Sequence, residues 1–132
     1  MKIINIYHTN PDLQVYQDSR GTIADVFYKN SINHVAMLKS QPGVVRGNHY
    51  HKQTVQHILI TQGSLEYWSK PVLSDAPAEC YVATVGDLIT SDANEIHTMR
   101  MLEYTEFLAF TDGVRGGADY EADTYRVPSI IV

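Results

Sequence analysis

Apolar and polar residues alternate with period two along most of this chain. The stretches KIINIYH (2–8), TIADVFYK (22–29), HVAMLK (34–39), VQHILIT (55–61), SLEYWSK (64–70), CYVATV (80–85), DLIT (87–90), IHTMRML (96–102) and EFLAFT (106–111) are rich in β-branched and aromatic residues, the pattern of strands that bury one face. Turn-forming clusters separate them: Asp18-Ser19-Arg20-Gly21, Gln41-Pro42-Gly43, Gln62-Gly63, Ser74-Asp75-Ala76-Pro77, Gly86-Asp87 and Asp92-Ala93-Asn94. No helix of three turns is expected before Gly117. Eight to ten short strands at this spacing predict an all-β sandwich or barrel.

The 132 residues suit a single domain, residues 1–132, able to bury roughly two thirds of its unfolded surface. No repeat, low-complexity run or linker divides it. Cys80 is the only cysteine, so no intrachain disulfide forms and a reducing compartment is expected. Within AECYVATV it reads as a small packing residue. Nowhere do eighteen or so apolar residues run together, so the expectation is a soluble, cytoplasmic chain without a membrane partner. The net charge of −5 is spread along the sequence, with no basic stripe to meet a phosphate backbone. No nucleic-acid partner is expected, whereas a small anionic ligand depends on a few local arginines and stays open.

The chemistry is concentrated in QPGVVRGNHYHKQTVQHILITQG, residues 41–63. His49 and His51 are two apart, so on extended backbone both rings leave the same face and Tyr50 the other. In the strand beginning at Val55, either Gln56 or His57 faces this pair. Ile58 and Ile60 form an apolar lining on the Gln56 side, which favours Gln56 inward and His57 outward; the register with His57 inward beside Leu59 is the alternative. His97 opens a later strand, eleven residues after Gly86. His8 and His34 carry no motif and read as surface or edge residues.

The spacings G43-x5-H49-x-H51-x4-Q56-x6-G63 and G86-x5-D92-x-N94-x2-H97 resemble the two signature motifs of the cupin superfamily. Gln56 stands where the first motif has glutamate, and Asp92, Asn94 and Met101 depart from the second. The resemblance implies a jelly-roll barrel of two antiparallel sheets with the histidines in its mouth. In metal-binding cupins such residues hold a divalent ion. His49, His51 and His97, with Gln56 as a weak neutral fourth ligand, would do so here for zinc, iron, manganese or nickel; chemistry without a cofactor is the other expectation.

A narrower resemblance covers residues 12 to 127. QDSRGTI (17–23), RGNHYHK with Gln56, and YEADTYR (120–126) are similar to dTDP-4-keto-6-deoxyglucose 3,4-ketoisomerases; GVVRGNHY resembles an element of dTDP-4-dehydrorhamnose 3,5-epimerases; PGVVRGNHYH and ADTYR resemble the cupin half of a capsular-polysaccharide UDP-sugar reductase. All three handle keto-sugar nucleotides, dTDP- or UDP-linked, and an isomerase or epimerase of such a substrate in bacterial polysaccharide or deoxysugar biosynthesis is what the resemblance implies. It assigns His49 as principal base, His51 as partner acid or shuttle, Arg20 and Arg46 to nucleotide or phosphate contacts, and Gln56, His97 or a metal to the enediolate. Imidazole, with an ordinary pKa of about 6.5, suits proton transfer α to a carbonyl. The tyrosine that the 3,5-epimerases carry after a strand like EFLAFTD is absent from GVRGGAD, and only Tyr120 and Tyr125 follow. This ranks ketoisomerase-like chemistry first. An iron dioxygenase on the three histidines and a non-catalytic sugar-binding cupin are the alternatives. Hydrophobic edges in KIINIYH, TIADVFYK and VPSIIV, together with the family resemblance, predict a homodimer.

Overall fold

The computed structural model describes residues 1–8, 13–119 and 121–132. Twelve strands are present among them: β1 (Lys2–Asn5), β2 (Val15–Asp18), β3 (Gly21–Ala24), β4 (His34–Ser40), β5 (Val45–Tyr50), β6 (Val55–Gln62), β7 (Ser64–Pro71), β8 (Glu79–Thr84), β9 (Asp87–Ser91), β10 (Glu95–Met101), β11 (Thr105–Asp112) and β12 (Tyr125–Arg126). One turn of 3-10 helix at Gly117–Asp119 is the sole helical element described. No helix among the described residues is long and apolar enough to cross a membrane.

Two five-stranded antiparallel sheets form the body, ordered β1-β9-β6-β11-β4 and β12-β5-β10-β7-β8, with β2 and β3 as a separate hairpin. This is the jelly-roll that the cupin resemblance implies. Alternation decides what lies between the sheets. Ile58, Ile60, Ile89, Phe107 and Ala109 from the first sheet meet Leu65, Tyr67, Ala83, Met99 and Met101 from the second. Each fully buried large apolar side chain there contributes about 1.5–3 kcal/mol through loss of contact with water. Tyr67 is buried among them, and its hydroxyl is hydrogen-bonded to Ser91 Oγ, so the one polar atom of that ring is satisfied.

Two sequence expectations need correction. The strand expected over residues 22–29 ends at Ala24, because the chain then turns to cover the outer face of the first sheet, where Val26 and Phe27 pack on Ile6, Leu59 and Leu88. Cys80 is exposed rather than packed. On edge strand β8 its neighbours Tyr81 and Ala83 pack with the core, and alternation turns Cys80 outward.

Candidate active site

The three histidines come from two adjacent strands of the second sheet and the turn that follows one of them. His49 and His97 are directly paired across β5 and β10, and His51 follows the end of β5. Their ring centroids are 5.0 Å apart for His49 and His51, 4.6 Å for His49 and His97, and 5.2 Å for His51 and His97. One nitrogen from each ring lies within 4.8 Å of the others. All three residues are buried, and Tyr67 stacks behind His97.

Local backbone makes this approach feasible. Gly47 and Asn48 have φ of 98° and 54°, and the β5–β10 register shifts between His97 and Thr98, so β5 bulges immediately before His49. A Cβ on Gly47 would sit 2.5 Å from the His97 carbonyl oxygen and 3.1 Å from Thr98 Cα. Gly47→Ala is therefore expected to cost about 2 kcal/mol or more, measured as a lowered urea midpoint at unchanged slope.

Gln56 faces inward and His57 outward. Gln56 Oε1 is 3.2 Å from His51 Nε2, whereas His57 Nδ1 pairs with Thr90 Oγ1 at 2.7 Å and its ring meets Phe27 edge-on. His51 Nδ1 donates to the Asp123 carbonyl at 2.6 Å. That bond fixes the tautomer and leaves the Nε2 lone pair directed at the cluster, so the neighbouring Gln56 amide must present its NH2 group to it or share a cation with it. His49 Nδ1 and both nitrogens of His97 are buried without a hydrogen-bond partner.

Burial dominates the electrostatics. It pushes His49 down to about 3, with further lowering from His51, Arg115 and Arg126, while the Gly47 backbone pulls weakly upward. His97 is held well below 6.5 by burial and by both neighbouring rings, and His51 is lowered chiefly by burial. The expectation of imidazoles titrating near neutrality thus gives way to three buried rings held in the neutral form. A base of this kind takes up a proton only as negative charge develops beside it.

Neither sequence-favoured arginine is seen among these rings. Arg46 donates to Ser40 Oγ at 2.7 Å and to the Lys39 carbonyl at 3.3 Å, tying β5 to edge strand β4. Arg20 sits exposed on the β2–β3 hairpin, paired with Asp18 at 2.7 Å. Tyr50 points away from the mouth and stacks on Tyr125; Tyr120 lies outside the described residues.

Three residues that the sequence reading left unassigned support the cluster. Asp123 accepts from the backbone N–H groups of Lys52, Gln53 and Thr54 and from Thr54 Oγ1, at 2.8–2.9 Å. Its carboxylate thereby pins the loop after His51, and its carbonyl orients His51. Thr54 Oγ1 in turn accepts from the Val114 N–H, and Arg115 beside it donates to Thr124 Oγ1 at 2.9 Å. His34, expected at a surface or edge, is on edge strand β4, yet its Nδ1 is buried without a partner and its ring packs on Gly116.

Residues 16–105 match the polysaccharide biosynthesis C-terminal domain family. A stretch of 65 residues is 26% identical to the UDP-2-acetamido-2,6-beta-L-arabino-hexul-4-ose reductase of Pseudomonas aeruginosa, covering 49% of this chain and 18% of that protein. The chain thus spans less than a fifth of the length of that relative. Among solved structures, a 3,4-ketoisomerase from Helicobacter canadensis superposes with a TM-score of 0.75 at 18% identity, over 95% of this chain and 89% of that one. A dTDP-4-dehydrorhamnose 3,5-epimerase from Sulfolobus tokodaii superposes with a TM-score of 0.74 at 19% identity, over 89% and 76%. At these identities the superpositions establish a shared fold.

Proposed function

Because this chain belongs to the polysaccharide biosynthesis C-terminal domain family, we propose that it isomerises or epimerises a keto-sugar nucleotide by histidine-mediated proton transfer α to the carbonyl. The observation that carries this reading is the convergence of His49, His51 and His97 in one buried mouth with three ring nitrogens left without partners. A neutral imidazole with a free lone pair in a desolvated pocket can accept a carbon-bound proton, and a neighbouring ring can return or relay it. The names of the structural neighbours, a 3,4-ketoisomerase and a 3,5-epimerase, support the substrate class. In this reading His49 is the base and His51, its tautomer set by the Asp123 carbonyl, is the partner.

The test is proton NMR in D2O with dTDP-4-keto-6-deoxyglucose and a UDP-linked 4-keto sugar. Loss of the signal of the proton next to the carbonyl is expected for one of them. Binding without any exchange would instead favour a non-catalytic sugar-binding protein.

The same residues fit a divalent ion. His49, His51 and His97 would hold it, with Gln56 Oε1 as a neutral fourth ligand, and zinc, iron, manganese or nickel all suit imidazole. The unpartnered nitrogens and the carbonyl-fixed His51 ring are the features that suit such a group. Bound there, the ion would act as a Lewis acid toward the carbonyl oxygen. Zinc at about 100 times its dissociation constant is expected to stabilise the wild type by about 2.7 kcal/mol, a rise in Tm of several degrees that His97→Ala abolishes. An unchanged wild-type Tm at millimolar zinc would count against the metal. An iron dioxygenase would lose all activity on removal of iron, whereas proton transfer by the histidines need not.

Tyr16 and Ile23 on the β2–β3 hairpin and Val35 and Met37 on edge strand β4 are exposed, which supports a homodimer. Sedimentation at micromolar concentration should give twice the monomer mass.

A further inference from the structure

The mouth uses Gln56 and leaves its neighbour on β6 without a part in the chemistry. His57 emerges on the opposite face of that strand, onto the outer surface of the first sheet, where alternation otherwise places Leu59, Leu88, Leu108 and Phe110. An imidazole on an apolar face needs polar company. Its Nδ1 has it in Thr90 Oγ1 at 2.7 Å, which leaves Nε2 as the ring nitrogen available to a ligand.

That ring lines a cavity of about 680 Å³ between the outer face of the first sheet and the chain that follows β3, a volume typical of small-molecule sites. Ile4, Leu88 and Phe27 belong to its apolar lining, with Phe27 edge-on to His57 at 4.9 Å and to Phe110 at 4.8 Å. Tyr28, 64% exposed, lines it from the solvent side. Polar groups of several kinds share the same space: Thr90 beside His57, the carboxylates of Asp92 and Asp112, and the ammonium groups of Lys2 and Lys29. The charges cancel in sum. Asp112 also accepts from Ser31 Oγ at 3.2 Å, and the Lys29 ammonium lies over the Tyr28 ring at 5.3 Å.

These groups decide the class of ligand. A phosphate or nucleotide anion would meet Asp92 and Asp112 as well as the lysines, and a hydrocarbon would leave the polar groups facing it unpaired. A pyranose suits both parts of the lining. Its hydroxyls donate to carboxylates and accept from ammonium groups, imidazole and threonine do either, and its C–H face lies flat on an aromatic ring. We propose that this cavity is a second ligand site, for an uncharged saccharide unit, separate from the histidine mouth and independent of the keto-sugar reading. The two sites stand back to back on β6, Gln56 in one and His57 in the other. Asp112 pairs with Val55 where β11 ends and β6 begins, next to the Thr54 that Asp123 holds, so a saccharide there lies beside the rim of the mouth without entering it.

The experiment follows the backbone amides of 15N-labelled wild type as methyl α-glucoside, methyl β-N-acetylglucosaminide and L-rhamnose are added at millimolar concentrations, with glucuronate, glucosamine and inorganic phosphate as charged counterparts. The expected result is saturable movement of the Phe27, Tyr28, His57 and Thr90 amides with at least one neutral sugar, while His49 and His97 stay in place. Tyr28→Ala and Asp92→Ala, both at exposed positions, should each raise its dissociation constant about tenfold or more at a wild-type Tm. The site is overturned by neutral sugars that move none of these amides, by a charged counterpart that binds more tightly than every neutral sugar, or by sugar shifts centred on His49, His51 and His97. Movement of the same amides with protein concentration and not with sugar would give the cavity to a second copy of this chain and overturn it too. Because the deuterium-exchange assay reads the mouth alone, its failure leaves this site standing, and failure here leaves the histidine chemistry standing.

Discussion

Replacing His49 by asparagine is expected to slow exchange into a keto-sugar nucleotide by about 100-fold to 10,000-fold, the usual contribution of a positioned general base, with little change in nucleotide affinity. The expectation follows from position. His49 lies 5.0 Å from His51 and 4.6 Å from His97 by ring centroid, so either ring can relay its proton, and its Nδ1 is buried without a protein partner. Asparagine fills much of the ring's volume and keeps polar atoms near the same place, so the mouth does not collapse. It has no basic nitrogen. A variant with wild-type kcat would remove His49 from the base role, and the same substitution at His51 would then identify the ring that replaces it.

The largest effect on stability is expected from Asp123→Ala. Burial works against ionisation of this carboxyl, but hydrogen bonds from Lys52, Gln53 and Thr54 outweigh it and hold the group below the ordinary carboxylate range. Removing the carboxylate strands the Thr54 N–H and hydroxyl in a buried setting, at about 1–3 kcal/mol for each unsatisfied group. A loss of about 3 kcal/mol or more, and a Tm lower by about 10 °C, should appear in thermal unfolding. Because the folded pKa is depressed, the stabilisation from ionised Asp123 is fully present above the unfolded value near 3.9 and is lost as pH falls through the lower folded one. Asp123→Asn restores the shape but cannot accept all four bonds, and should lie between wild type and alanine. An Asp123→Ala protein as stable as wild type would show that the loop after His51 is held by other contacts.

How much of this was legible in the sequence depends on the range over which each signal acts. Period-two alternation is local and strong, so β4, β6, β7, β10 and β11 are visible as HVAMLK, VQHILIT, SLEYWSK, IHTMRML and EFLAFT. The choice of Gln56 over His57 for the inner face is legible for the same reason, because Ile58 and Ile60 declare which side is dry. The convergence of His97 with His49 is not local. It was suggested by family-like spacing, and the structure accounts for it through the bulge at Gly47. Arg46 was read as a ligand contact because a charged residue stands beside the motif; its bridge from β5 to the edge strand β4 depends on a partner six residues away in sequence and on the other sheet, which no local pattern announces. Arg115 and Asp123 carried no readable signal: GVRGG looks like an ordinary loop, and nothing in ADTYR announces that its aspartate will accept four bonds from residues some seventy positions earlier. Cys80 was misplaced because alternation gives the period of a strand and not, for an edge strand, which phase faces the core.

The central claim is that three imidazoles share one desolvated mouth as neutral rings. Long-range proton–nitrogen correlation NMR on protein with 15N-labelled histidine, followed between pH 8 and 5 without added metal, tests it most directly. The account predicts that His49 and His97 stay neutral across this range and that His51 carries its proton on Nδ1, as the bond to the Asp123 carbonyl requires. Three rings that titrate independently near 6.5, as free imidazoles do, would contradict it.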